Sequence, residues 1–119
     1  KKKIILIDRF IDSTIAYQHY GFGINLFLIN IINKHLLKNF KITHTFLNIV
    51  NKKNMINRLK KRKNLNRYDK FKFDFYSKVQ KGFLKLSKKK RKKYQIIDSN
   101  LNIETNKKII IDKLDKLIK

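Results

Sequence analysis

A chain of 119 residues allows one domain with a modest core, and its lack of cysteine excludes disulfide frameworks and thiolate metal sites. Thirty-one Lys and Arg against eight Asp and Glu give a formal charge of +23, a balance that ordinarily points to nucleic acid or an anionic membrane. The favoured residues are Lys, Ile and Asn, with Pro and Trp absent; this is the mark of A/T-rich codon use, so drift explains the charge and no specific nucleic-acid partner is expected.

In chain order, Lys3–Ile7 reads as a short buried strand closed by Asp8. Its four apolar residues are too few for a signal peptide, and an opening on Lys1 rather than Met suggests a piece cut from a longer chain. Asp12 or Ser13 is expected to cap a short helix through Tyr17, with a turn at Gly21 and Gly23. From Ile24 to Leu37, Leu28, Ile31, Ile32 and Leu36 recur at helical spacing and mark the expected buried face. Asn25, Asn30, Asn33, Lys34 and His35 make this stretch too polar, and it is too short, to span a bilayer. A cytoplasmic protein with no membrane partner is expected.

Thr45–Val50, β-branched and aromatic, predicts a second strand. Met55, Ile56 and Leu59 open a helix that runs into the basic stretch from Lys60 to Arg67. Phe71, Phe75, Val79, Phe83 and Leu86 mark a long amphipathic helix, on which the phenylalanines read as core rather than a base-stacking platform. The block Lys88–Lys93, between apolar segments, reads as a solvated helix end or turn. Tyr94–Ile97 is a third strand ending at Asp98, and Ile103–Ile118 a closing helix with Ile110, Leu114 and Leu117 on one face. Short buried strands alternating with helices predict α/β architecture with a parallel sheet.

Ligands of open parallel sheets bind beyond the carboxyl ends of the strands. Asp8-Arg9-Phe10 lies there, followed by Asp12 through Gln18 and the turn Gly21-Phe22-Gly23. Arg9 is a planar fork suited to a phosphate. Asp8 could hold magnesium through water. Thr14, Tyr17 and Gln18 offer a hydroxyl, a ring and an amide. Taken alone, an Asp-Arg pair at a strand end reads more often as a salt bridge. The second basic feature, Arg58 to Asp69, taken alone is a solvated helix end. His19, His35 and His44 have no metal-ligand spacing.

The run DRFIDSTIAYQHYGFGI resembles the thymidylate kinase segment that reads roughly DR(Y/F/H)xxSxxAYQGxGRG. The resemblance implies that Arg9 contacts the phosphate of dTMP, that Thr14 faces the thymine, that Tyr17 lines the deoxyribose and that Gln18 follows near the same pocket. Phe22 stands where the family usually has Arg. The stretch from Arg58 to Asp69 resembles the family's LID, roughly RxRxRGxLDRxE, with Lys63, Asn66 and Asp69 replacing the usual Gly, Asp and Glu. On that likeness Arg58, Lys60, Arg62 and Arg67 are the LID bases facing the ATP phosphates, and Arg62 supplies catalytic charge beside Arg9 and Asp8. FDFYSKVQKGFLKL and YQIIDSNLNIE resemble the family's long helix and last strand.

The likeness runs from Ile4 to about Ile118, yet no GxxxxGK[ST] occurs among three glycines. The expectation is therefore the C-terminal part of a single P-loop kinase-type domain over residues 1–119, with a LID at about 58–69. Its sheet is parallel with flanking helices and incomplete. The whole enzyme would transfer the γ-phosphate of ATP to dTMP with Mg²⁺ and act as a homodimer. This chain alone would be inactive. The rival readings are a small basic nucleic-acid-binding module, which leaves the DRF…AYQ…GFG order unexplained, and another P-loop nucleotide or nucleoside kinase.

Overall fold

The computed structural model describes residues 3–62 and 73–119. In chain order these contain helix α1 (Ile11–Thr14), a π-helical segment (Ile15–Gly21), α2 (Leu26–Leu36), strand β1 (Thr45–Ile49), α3 (Lys52–Lys61), α4 (Phe73–Lys89), a 3₁₀ turn (Arg91–Lys93), β2 (Tyr94–Asp98) and α5 (Ile103–Ile118). Of the described residues, 3–42 and 74–89 form one compact unit, and 43–62, 73 and 90–119 form another.

In the first unit, Ile15, Ile29 and Leu86 make the core, with Tyr20 and Leu26 packed against them. The expected cap of the first helix is corrected. Phe10 occupies the cap position and no side chain closes it, while Asp12 sits inside the first turn, only 9% exposed. A carboxylate there meets the positive end of the helix. Helix α2 starts at Asn25, whose side-chain oxygen accepts from the Phe27 amide at 2.8 Å. Its buried face also differs from expectation. Ile29 and Asn33 turn inward, and Leu28, Ile31, Ile32 and Leu36 are 51–54% exposed. Apolar residues surround most of this helix, so periodicity marks it as helical without deciding which face the core takes.

Close approach of α4 to the π-helical segment depends on glycine. A methyl at Gly82 would stand 2.5 Å from Tyr20 Cδ2 and 2.8 Å from its Cβ. Tyr20 cannot yield there by turning its ring, because its own Cβ is in the way. Gly82→Ala is expected to lower stability by about 1–3 kcal/mol, overriding the roughly 1 kcal/mol that alanine gains in a helix. Urea denaturation of the two proteins measures it, and an unchanged midpoint would refute the close packing.

In the second unit β1 and β2 pair in parallel, Thr45 opposite Tyr94 through to Ile49 opposite Asp98. Leu47 and Ile97 are buried. The expected strand at Lys3–Ile7 is not formed. Backbone N–H and C=O groups of a strand need a neighbouring ladder, and among the described residues the sheet contains only β1 and β2. Ile4, Ile5, Leu6 and Ile7 are 54–80% exposed. Asparagine again starts the helices: Asn51 accepts from the Asn54 amide at 2.9 Å for α3, and Asn102 from the Thr105 amide at 2.8 Å for α5. That cap sets the start of α3 at Lys52, three residues ahead of the first apolar residue, Met55.

His44 precedes β1 with its ring 4.8 Å from that of Phe46, and its Nε2 is buried with no hydrogen-bond partner among the described residues. Burial, and secondarily the charge of Lys113, hold the imidazole below its ordinary value of 6.5. The fold thus prefers neutral His44, and on acidification the unfolded chain takes the proton first. The contribution is fully present above about pH 6.5 and is lost as pH falls through the lower folded value. Thermal melts between pH 7.5 and 5 should show Tm falling, and His44→Gln should flatten that decline. An equal slope in both proteins would remove His44 as its source.

Candidate active site

Asp8 and Arg9 lie in a bend just ahead of α1, both exposed. Arg9 has φ 63°, the left-handed region, and no other non-glycine residue among those described has a positive φ. For an L-residue with a long side chain this conformation costs about 1–2 kcal/mol and persists where neighbours over-determine it. One such neighbour is Tyr17: the Arg9 guanidinium carbon stands 5.6 Å from the centre of its ring. A cation over a ring face gains electrostatic attraction while leaving its in-plane N–H donors unspent.

The local cause of Tyr17's placement is the π-helical segment. The Phe22 amide donates to the Tyr17 carbonyl at 3.0 Å, five residues back. The Gly23 amide reaches the His19 carbonyl at 2.8 Å and the Ile24 amide that of Gln18 at 2.8 Å. Gly23, at φ 78°, provides the left-handed exit that ends the segment. Phe75 and Phe83 of α4 flank Tyr17, with ring centres 6.0 and 6.4 Å away. Thr14 is exposed at the end of α1 and Gln18 is half-buried. The first unit thus brings Arg9 to Tyr17 and holds Thr14 and Gln18 on the same short helical run. The supporting role of Phe75 and Phe83 was missed by sequence reasoning, although their eight-residue spacing on α4 was visible.

The second unit carries the basic residues of α3. Arg58 donates from its guanidinium to the Ser99 carbonyl. Lys60 is exposed, and Arg62 follows the last turn in extended conformation, its amide donating to the Leu59 carbonyl at 3.2 Å. Cations there oppose the negative end of the helix. Ser99 belongs to the turn after β2, whose hydrogen bonds to α3 sequence reasoning missed. The Asn100 side-chain oxygen accepts from the Asn51 amide at 3.1 Å and from Asn54 Nδ2 at 2.9 Å, and Asn100 Nδ2 donates to Asp98 at 2.8 Å. The signal available was an Asp-Ser-Asn run at the carboxyl end of a strand. Arg67 lies outside the described residues, as do Lys63, Asn66 and Asp69.

The family model for thymidylate kinase matches residues 1–110. The chain belongs to the thymidylate kinase family. Among curated relatives, the thymidylate kinase of a Sulfurihydrogenibium species is 34% identical over 93% of this chain and 53% of its own length. That of Wolbachia pipientis wMel is 42% identical over 80% of this chain and 46% of its own length. The crystal structure of thymidylate kinase from Ehrlichia chaffeensis superposes with a TM-score of 0.61 at 29% identity, over 99% of this chain and 52% of that one. The parallel β1–β2 pair with its helices accords with an α/β kinase fold. The chain spans about half the length of the curated relatives it matches. Among the described residues no helix is long and apolar enough to cross a membrane.

Proposed function

We propose that this chain is the C-terminal, dTMP-binding and LID-bearing part of a cytoplasmic thymidylate kinase that passes the γ-phosphate of ATP to dTMP. The observation that carries this reading is Arg9, strained and set over Tyr17 within the run that matches the family. In this reading Arg9 clamps the dTMP phosphate with its planar fork. Thr14 offers its hydroxyl to the thymine, and the Tyr17 ring and Gln18 amide flank the nucleoside. Arg62, with Arg58, Lys60 and Arg67 as the other basic residues of the LID, neutralises charge that spreads over the transferring phosphoryl oxygens.

Magnesium fits the site only as a nucleotide-bound ion. Among the described residues no three His, Asp or Glu side chains gather, and the exposed Asp8 carboxylate suits a hold through water. That matches an ion that keeps its waters and takes most ligands from phosphates. When bound it would draw charge from the β- and γ-phosphate oxygens.

The homodimer is part of the same proposal: Phe27, Leu28, Ile31, Ile32 and Leu36 leave α2 with a wide exposed apolar face. No GxxxxGK[ST] loop is present to cradle the ATP phosphates. The 119-residue chain is therefore expected to bind dTMP and produce no dTDP. Calorimetry with dTMP, and chromatography after incubation with ATP, dTMP and Mg²⁺, check the two halves separately. Turnover above background would overturn the assignment of this chain as a partial kinase. Tight binding to one duplex DNA sequence at physiological salt, in place of dTMP, would favour the basic-module reading.

A further inference from the structure

Phe22 is a departure from the family pattern that the reaction leaves unexplained. Its side chain is 44% exposed, yet its ring centre lies 4.7 Å from that of Phe75 at an interplanar angle of 48°. Phe75 in turn meets Tyr17 at 6.0 Å and 60°, and Tyr17 carries the Arg9 guanidinium at 5.6 Å. Both pairs are tilted, at separations where aromatic rings attract. Phe22 is tied to Tyr17 a second time, through its own amide on the Tyr17 carbonyl. One residue thus fixes both the backbone and, through Phe75, the ring beneath Arg9. Gly21 admits this packing, since a methyl there would stand 2.7 Å from the Phe75 ring.

We propose that Phe22 is a positioning residue, which holds Phe75 against Tyr17 and thereby sets the Arg9 guanidinium for the nucleotide phosphate. This rests on the reading of Arg9 as the ligand of that phosphate. An Arg at position 22 would instead place a second cation on the turn. The aromatic side chain gives up that charge and stiffens the support of the remaining one. A left-handed Arg needs such support, because without it the backbone relaxes to a cheaper conformation and the fork swings away.

The test compares dTMP with thymidine, which lacks the phosphate, as titrants of the 119-residue chain. It also follows the Arg9 side-chain resonances, shifted upfield by the Tyr17 ring current, with no ligand present. Phe22→Ala is expected to weaken dTMP by roughly twofold to fivefold, the range of one exposed cation–π contact, to leave thymidine unchanged and to abolish the Arg9 shift. Phe22→Tyr should restore both. Phe22→Leu keeps the volume and guards against unfolding; it should weaken dTMP in the same direction. In an Arg9→Ala background, Phe22→Ala should change nothing further. An Arg9 resonance unmoved by Phe22→Ala overturns the proposal, and so does an equal loss for dTMP and thymidine, which would make Phe22 a wall for the nucleoside. A chain that binds neither titrant overturns the nucleotide reading, and the Arg9 shift then still decides whether Phe22 holds Arg9.

Discussion

Arg62→Ala is expected to lower kcat by about 10³ in an enzyme completed with a P-loop half, with little change in dTMP affinity. Charge supplied to a phosphoryl group in transfer contributes on the order of 10³–10⁵ in rate. The lower end applies because Lys60 and Arg58 lie on the same helix, although Arg58 is partly committed to the Ser99 carbonyl. Arg62→Lys should recover only part of the rate, since an ammonium keeps the charge and loses the fork. A solvated helix end would give near-normal kcat for both variants. Single-turnover measurement isolates the chemical step from product release, and an unchanged chemical rate in Arg62→Ala would shift the role to Lys60 or Arg58.

Loss of Arg9 should act on binding instead. On the proposed role, Arg9→Ala removes a charge-assisted hydrogen bond to the phosphate worth about 1.5–3 kcal/mol net, so dTMP affinity should fall by roughly 10- to 100-fold. Thymidine, with no phosphate to lose, should bind as before. Calorimetry of the 119-residue chain with both ligands measures this without any turnover. An equal loss for the two would mean that Arg9 supports the fold of the bend rather than the phosphate. The left-handed backbone makes the alanine variant informative in a second way. Alanine dislikes φ 63° as much as arginine does, so Arg9→Gly, which adopts it freely, should fold as well or better while binding dTMP just as poorly.

Much of the fold was legible because the signals were local. Among the described residues the longer helices and both strands are foreshadowed by their apolar pattern, and Ile103–Ile118 is bounded correctly. Tyr94–Ile97 was read one residue short of the observed Tyr94–Asp98. The failures were those of context. Lys3–Ile7 carries strand chemistry, but strand formation depends on neighbours that no local window reports. Helix α2 is apolar on more than one side, and only Ile15 and Leu86, distant in sequence, select Ile29 as its inward residue. In the candidate site, the adjacency of Arg9 and Tyr17 could not be deduced from spacing, because an α-helical count from Ile11 would not foresee the π-helical segment. The hydrogen bond from Arg58 to Ser99 joins residues 41 apart, beyond any periodicity.

The π-helical segment has a consequence for how this chain tolerates change in length. A π turn is an α-helix into which one residue has been inserted, with the surplus parked as a bulge between Tyr17 and Phe22. In a regular α-helix an inserted residue would rotate everything after it by about 100° about the axis, and the bulge absorbs that rotation. Deleting one position inside Ile15–Gly21 would therefore cost little as helix, since an ordinary α-turn would take its place. It would leave Phe22 and the exit at Gly23 on nearly the same side of the helix relative to Tyr17, provided that the lost position lies between the two, because only the surplus residue goes. This short stretch therefore acts as a slack turn, in which a single-residue gap is taken up locally and leaves the residues after it in register.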